Sequence, residues 1–119
     1  MSEKQNLFDL IPVISDHVTT ENEGELVVLT FPRFKSKFIQ KYLVREKSKF
    51  VRVRLETNGT AVWQLIDGKR SVAKIAESLA EHFQHEEKYE YRVAEYISQL
   101  YRQGFVKNKV EMTYNNMNI

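Results

Sequence analysis

The chain is 119 residues long, which argues for one domain with one hydrophobic core and against a two-domain enzyme with a deep interdomain cleft. Apolar residues make up 42% and charged residues 29% of the chain, an ordinary globular composition that excludes a disordered protein. There are no cysteines, so disulfides, thiolate zinc sites, iron–sulfur clusters and cysteine nucleophiles are excluded.

The net charge of +2 hides a segregation of acids and bases along the chain. Residues 1–30 carry six acids against one base (−5), residues 31–54 carry nine bases against one acid (+8), and the remainder is close to neutral (−1). The basic block suits a polyanion, an acidic peptide or the chain's own acidic N-terminal segment, and equally a solvated surface. We name residues 1–24 the acidic N-terminal arm.

The apolar residues near the start of the chain are interrupted by Asp9 and Pro12, and only Lys4 precedes them. This pattern is that of neither a signal peptide nor a membrane span. We therefore expect a cytoplasmic protein.

Two segments are predicted to be strands. Leu26 to Phe31 is apolar and β-branched, and Pro32 should stop it because proline cannot donate to a ladder. Residues 50–55 alternate apolar and basic side chains, which is typical of a half-exposed strand. Between the two, aromatic residues at positions 34, 38 and 42 fit a short amphipathic helix or an extended excursion.

Three helices are predicted after residue 56. Thr57 or Asn58 should cap the first, which has Trp63 at its shoulder and ends at Asp67-Gly68. Ser71 should cap the second, and Gly104 occupies the position of a left-handed cap after the third. The inward-facing positions are Val62, Leu65, Ile66; Val72, Ile75, Ala76, Leu79, Phe83; and Val93, Tyr96, Ile97, Leu100, Tyr101.

Residues 105–110 fit a closing strand, and we expect the polar tail 111–119 to be loosely ordered. The order of elements predicts an α+β, winged-helix-like domain over residues 25–110, in which a small antiparallel sheet is followed by three helices.

No constellation of residues indicates catalysis. The sequence lacks a nucleophile elbow and a glycine-rich phosphate loop, so we expect neither an enzyme nor a bound cofactor. His82 and His85 are three residues apart and could face one metal, but they have no fixed third ligand, so no metal site is predicted. Tyr89 and Tyr91 are either an exposed recognition pair or contacts at the start of the third helix.

The run from Leu55 onward resembles the coenzyme PQQ synthesis protein D (PqqD) family. The resemblance covers about residues 50–106 and rests on Gly59, Trp63, Asp67-Gly68 and Ile75, followed by Leu79, Phe83, Tyr96-Ile97, Leu100, Gly104 and Phe105. The family usually reads Leu-Asn or Leu-Asp and then Glu-Thr-Gly before the first helix. Here the run is Leu55-Glu56-Thr57-Asn58-Gly59, a departure that touches the cap of that helix.

The resemblance implies a non-catalytic module that recognises the leader of a ribosomally made precursor peptide and presents it to a modifying enzyme, commonly a radical SAM maturase. It also implies that the leader adds as a strand to the sheet edge beside the third helix, a mode in which main-chain hydrogen bonds give affinity. The implied peptide-binding residues are Phe50, Val51, Arg52, Val53, Arg54, Arg92, Tyr96, Gln99 and Gln103. Arg52 and Arg54 could then select an acidic peptide, or they merely keep an edge strand from aggregating.

Two further hypotheses come from other classes. A nucleic-acid-binding winged helix would use the basic segment 33–54, although the third helix balances Glu90 and Glu95 with Arg92 and Arg102, which makes nucleic acid a weak candidate. A scaffold protein would form a homodimer through the exposed edge strand. The peptide, the partner enzyme and a link to PQQ synthesis itself are beyond what the sequence specifies.

Overall fold

The structure, a computed structural model, describes residues 6–32 and 50–109. The elements in chain order are a 3-10 helix (Leu7–Asp9), β1 (Pro12–Ile14), β2 (Thr19–Glu23), β3 (Leu26–Pro32), β4 (Phe50–Arg54), α1 (Thr57–Trp63), α2 (Val72–Ser78), α3 (Tyr89–Arg102) and β5 (Val106–Asn108). The strands form two antiparallel sheets, one with the order β2-β3-β4 and one of β1 with β5. The predicted α+β class, with small antiparallel sheets and three helices, is confirmed, whereas the winged-helix arrangement stays a prediction.

The three-stranded sheet turns one face toward the helices. Val27, Leu29 and Phe31 of the central strand β3 are at most 2% exposed, and Val51 and Val53 of β4 pack against the same core. Both predicted strands are confirmed, and β3 ends at Pro32, which pairs with Phe50. The alternation in β4 therefore reports its orientation correctly, with the arginines on the face away from the core.

The cap of α1 differs from the prediction. Glu56 is the N-cap: its backbone is extended, and its carboxylate accepts a hydrogen bond from the Asn58 N–H at 2.7 Å. Thr57 is already the first helical residue, so Thr57 and Asn58 lie too far along the chain to act as the cap. The longer glutamate side chain reaches back to the orphan N–H that a serine or threonine would otherwise satisfy.

Trp63 is 2% exposed and therefore buried, not at the shoulder of α1 as predicted. Its indole N–H donates to the Thr20 hydroxyl at 3.0 Å, so an element remote in sequence satisfies it. A buried indole needs such a partner, and the partner lies on β2, a strand that the sequence did not predict.

Two helices end earlier than predicted: α1 ends at Trp63, before Leu65, Ile66 and Asp67-Gly68, and α2 ends at Ser78, before Leu79 and Phe83. The apolar side chains beyond both ends are still packed in or against the core, so the helical spacing reports their burial but not the helix length.

The predicted start of α2 and end of α3 agree with the structure. Ser71 caps α2 by accepting from the Lys74 N–H at 3.1 Å. After α3, Gly104 adopts a φ of +82°, its N–H donates to the Tyr101 carbonyl, and the Phe105 N–H donates to the Leu100 carbonyl. These two bonds form a Schellman motif, in which glycine is favoured because a Cβ would strain the left-handed backbone.

Residues 6–24 of the acidic N-terminal arm carry the 3-10 helix, β1 and β2. β1 pairs with the predicted closing strand, which the structure confirms as β5 and ends at Asn108. The Ser15 hydroxyl donates to the Gly104 carbonyl at 2.9 Å, and the Val72 N–H donates to the Leu10 carbonyl at 2.9 Å. Backbone and side-chain bonds thus tie this segment to the ends of both α2 and α3.

Two predictions concern residues that the structure does not describe. The amphipathic helix or extended excursion falls within residues 33–49, and the loosely ordered tail falls within residues 110–119. Both lie outside the described residues.

Candidate functional site

The outer edge of β4 offers main-chain hydrogen-bonding groups. The Leu55 N–H donates to the Val27 carbonyl at 2.8 Å, which fixes the alternation of the antiparallel ladder. Val51 and Val53 share this parity and direct their main-chain groups toward β3, while Arg52 and Arg54 direct theirs away from it. Within residues 6–32 and 50–109, no strand pairs with this outer edge.

A hollow of about 230 Å³ lies between β4 and α3. We call it the apolar hollow; it is lined by Val53, Arg54, Leu55, Glu56, Gly59, Val62, Tyr96, Gln99, Leu100, Gln103 and Phe105. Small-molecule sites usually enclose roughly 300–1,000 Å³, so this space is small for a cofactor or drug-sized ligand. It is of a size to receive an apolar side chain from a chain lying along β4.

Glu56 and Tyr96 divide the apolar hollow from a second depression. The Tyr96 hydroxyl donates to one carboxylate oxygen of Glu56, while the Asn58 N–H occupies the other. The depression beyond them, which we call the outer hollow, is open to solvent and lined by Glu56, Tyr91, Arg92, Glu95, Tyr96 and Gln99. Glu56, Tyr96 and Gln99 therefore line both spaces.

The electrostatics at this partition keep Glu56 ionised. The hydrogen bond from Tyr96 is the largest influence and lowers the pKa of Glu56, while partial burial opposes it. The backbone N–H groups of Asn58 and Gly59 and the charge of Arg92 add to the lowering. Burial raises the pKa of Tyr96, and the same hydrogen bond adds to that rise. The pair is thus a carboxylate held by a neutral phenol.

The arginines of β4 are already paired with β2. Arg54 lies 2.8 Å from Glu23, and Arg52 lies 3.4 Å from Glu21, across the outer face of the sheet. All four side chains are about half exposed or more, so each pair contributes roughly 0.2–1 kcal/mol. Part of the acid and base segregation in the sequence thus ends in ion pairs within one sheet.

The structure brings most of the residues implied by the family resemblance to one side of the molecule. Val53, Arg54, Tyr96, Gln99 and Gln103 line the apolar hollow. Arg92 lines the outer hollow, where it pairs with Glu86 at 2.6 Å and covers the Phe83 ring. Val51 packs against the core, and Phe50 is 54% exposed at the start of β4.

Several lining residues were not singled out from the sequence. Leu55 was assigned to the apolar face of a strand, Leu100 to an inward-facing helix position and Phe105 to the closing strand. Leu55 and Leu100 are half-buried and Phe105 is buried, and all three line the hollow. Glu56 gave no local signal, because N-cap positions favour serine, threonine, aspartate and asparagine, and Thr57 and Asn58 offered two of those types nearby. Tyr91, which is 64% exposed, is both a recognition candidate and a contact of Phe8, with ring centroids 5.9 Å apart.

The histidines do not form a metal centre with other ligands in the described part of the chain. The His82 Nε2 atom is 2.8 Å from the Asn58 side-chain oxygen, and His85 lies beyond α2 with a φ of +55°. Within residues 6–32 and 50–109, no group of three His, Cys, Asp or Glu side chains could hold a metal ion.

A comparison with models of known protein families shows which family this chain belongs to. The model of the family described as Coenzyme PQQ synthesis protein D (PqqD) matches residues 44–106, more than half of the 119 residues. The chain belongs to the PqqD family. No curated protein and no solved structure matches the chain.

Membership in PqqD implies a role in the biosynthesis of PQQ or of other ribosomally made, modified peptides, within a family of non-catalytic accessory proteins. The match covers β4, the three helices and the start of β5, and hence every lining residue of both hollows. None of the described helices has the length and apolar character needed to cross a membrane.

Proposed function

We propose that this PqqD protein is a cytoplasmic, non-catalytic peptide-binding module that takes up the leader of a precursor peptide and presents it to a modifying enzyme, a radical SAM maturase. The observation that supports this most strongly is the outer edge of β4 beside the apolar hollow. An extended peptide needs both features, because main-chain bonds give affinity and a side-chain pocket gives selectivity.

The leader lies along β4 with its main-chain groups opposite Arg52 and Arg54. Alternate side chains of a strand point to the same face, so every second residue of the leader faces α3. One of them, opposite Val53, enters the apolar hollow, and the exposed side chains of Gln99 and Gln103 border it. The residues proposed to bind the peptide are those named from the sequence, with Leu55, Glu56, Leu100 and Phe105 added.

The nucleic-acid hypothesis has less support among the described residues. Arg52 and Arg54 are ion-paired with glutamates, so their charge is largely compensated where it was expected to attract phosphate. The rest of the basic segment lies outside the described residues. We keep DNA binding as an outcome that the amide shifts can reveal, and homodimer formation as one that the sedimentation mass across a range of protein concentrations can reveal.

Amide NMR shifts of the labelled protein test the proposal, with synthetic leaders of candidate precursor peptides as the probes. We expect shifts confined to residues 50–55 and 92–103. A DNA duplex serves as the comparison. Shifts with DNA and none with any leader would contradict the proposal, as would shifts with a leader confined to residues away from β4 and α3.

A matched pair of variants on α3 sharpens the test. Gln99→Trp fills the space beside both hollows and should weaken leader binding at least tenfold. Glu90→Trp places the same side chain on an exposed position of the same helix that lines neither hollow, and should leave binding unchanged. Equal affinity for the two variants would show that the leader binds elsewhere.

A further inference from the structure

Most of the charged side chains that line the apolar hollow and the outer hollow are already paired with side chains of opposite charge. Of the cations that line the two hollows, Arg54 is paired with Glu23 and Arg92 is paired with Glu86. The Glu95 carboxylate is likewise paired, at 3.2 Å from Arg102. These six side chains therefore form three ion pairs, and little net charge remains on them to attract a charged ligand.

Glu56 differs from these residues. Both of its carboxylate oxygens accept hydrogen bonds from neutral donors, the Asn58 N–H and the Tyr96 hydroxyl. In the described part of the chain, no lysine or arginine lies within ion-pair distance of it, and its side chain is exposed. The charge of Arg92, which is itself paired with Glu86, lowers the pKa of Glu56 from outside ion-pair distance. Among the described residues, Glu56 is therefore a carboxylate at the mouth of both hollows without a direct ion-pair partner.

The position of Glu56 relative to β4 sets the spacing along a docked strand. Val53 and Leu55 are two residues apart on the face toward α3, and Glu56 directly follows Leu55. Neighbouring strands are about 4.8 Å apart, and residues two apart on one strand are about 6.6 Å apart. A docked residue opposite Val53 thus faces the apolar hollow, and one opposite Leu55 comes up beside Glu56.

We propose that the docked peptide carries a lysine or arginine two residues from the apolar side chain that fills the apolar hollow, and that Glu56 binds this cation. The inference rests on the proposed function and specifies the chemistry of its ligand. It reverses the charge preference expected from Arg52 and Arg54, because those arginines are paired whereas Glu56 is not. An acidic side chain at the same place would meet Glu56 and, beyond it, Glu95.

Selection from a displayed library of random ten-residue peptides on the full-length protein tests this inference without a known ligand. The expected consensus has an apolar residue and, two positions away, lysine or arginine. Selection on Glu56→Gln should keep the apolar position and lose the basic one, because glutamine carries no charge. Its carbonyl oxygen can still accept the Asn58 N–H, and its amide group can donate to the Tyr96 hydroxyl oxygen. Glu95→Gln is the matched control, since Glu95 lines the outer hollow but is already paired, and it should keep both positions.

Affinities of one selected peptide complete the test. Replacing its basic residue by glutamine should weaken binding to the native protein about two- to fivefold, the range of an exposed ion pair, and should have no effect on Glu56→Gln. A consensus with the apolar position alone, or with an acid, overturns this inference but leaves the proposed function standing. No enrichment over an unrelated control protein overturns both.

Discussion

Glu56 lies where three elements meet, and its side chain links α1 with α3. It ends the segment that follows β4, caps α1 and accepts the hydroxyl of Tyr96 from α3. Because the hydrogen bonds favour the ionised carboxylate, the pKa of Glu56 is lower in the folded protein than its ordinary value of 4.5. The folded state then binds fewer protons than the unfolded state in this pH range.

The stability contribution of Glu56 should therefore depend on pH. It is fully present above about pH 4.5 and is lost as the pH falls through the lower folded pKa. The free energy of unfolding of Glu56→Gln, measured by urea titration, should lie below that of the native protein at pH 7 and converge with it in acid. The control is Glu87→Gln, an exposed carboxylate, which should track the native protein. A gap for Glu56→Gln that is independent of pH would contradict this account.

At the scale of elements, the end of α3 depends on the backbone of Gly104. Its φ is +82°, and a Cβ built there would meet no atom within 4 Å, so only conformational strain opposes a side chain. Gly104→Ala should lower the free energy of unfolding by about 1–2 kcal/mol. Urea unfolding with an unchanged m-value measures this loss.

Gly104→Asn provides the comparison for that substitution. Asparagine tolerates the left-handed region better than alanine does, so its cost should be clearly smaller although its side chain is larger. Equal costs for alanine and asparagine would mean that crowding, not the left-handed turn, opposes substitution at the end of α3.

At the scale of the whole molecule, the folding unit extends beyond the residues that match PqqD. The match begins at residue 44, whereas β3 contributes Val27, Leu29 and Phe31 to the core. Burying each such side chain contributes about 1.5–3 kcal/mol, against a total stability of roughly 5–15 kcal/mol for a small domain. A fragment that starts at residue 44 should therefore show no cooperative thermal transition by circular dichroism, and a transition like that of the full chain would contradict this.

A single hydrogen bond tests the same dependence without truncation. Thr20→Val removes the acceptor of the buried Trp63 indole and should cost about 1–3 kcal/mol in urea unfolding. Thr19→Val, at the neighbouring exposed position of β2, should cost less than about 0.5 kcal/mol. Equal costs would show that β2 contributes through packing alone.

The sequence predicts the features that depend on local signals. Ser71, Gly104 and the alternation in β4 act through neighbouring residues, and the structure confirms all three. β1 was missed because it has three residues and pairs with β5, which is remote in sequence. β2 was missed because all its residues are exposed and two of them are acidic, so no apolar alternation marks it. Gly24, with a φ of +63°, was the overlooked signal, since it marks the two-residue turn between β2 and β3.

The sequence indicated which strand and which helix flank the candidate site. It did not indicate which of the site's charged side chains are paired. The basic alternation in β4 indicates an edge strand, and the family resemblance implies α3 beside it. The pairing of Arg52 and Arg54 with Glu21 and Glu23 depends on the register of three strands, which no local pattern encodes. The role of Glu56 likewise depends on Tyr96, forty residues away.

Amide hydrogen exchange with and without a saturating leader peptide tests the central proposal most directly. Arg52 and Arg54 direct their N–H groups to the outer edge of β4, so strand addition should slow exchange of these amides at least tenfold. Val53 already bonds to β3 and should change little in comparison. If the leader binds while Arg52 and Arg54 exchange as before, the peptide does not add to this edge and the central proposal is wrong.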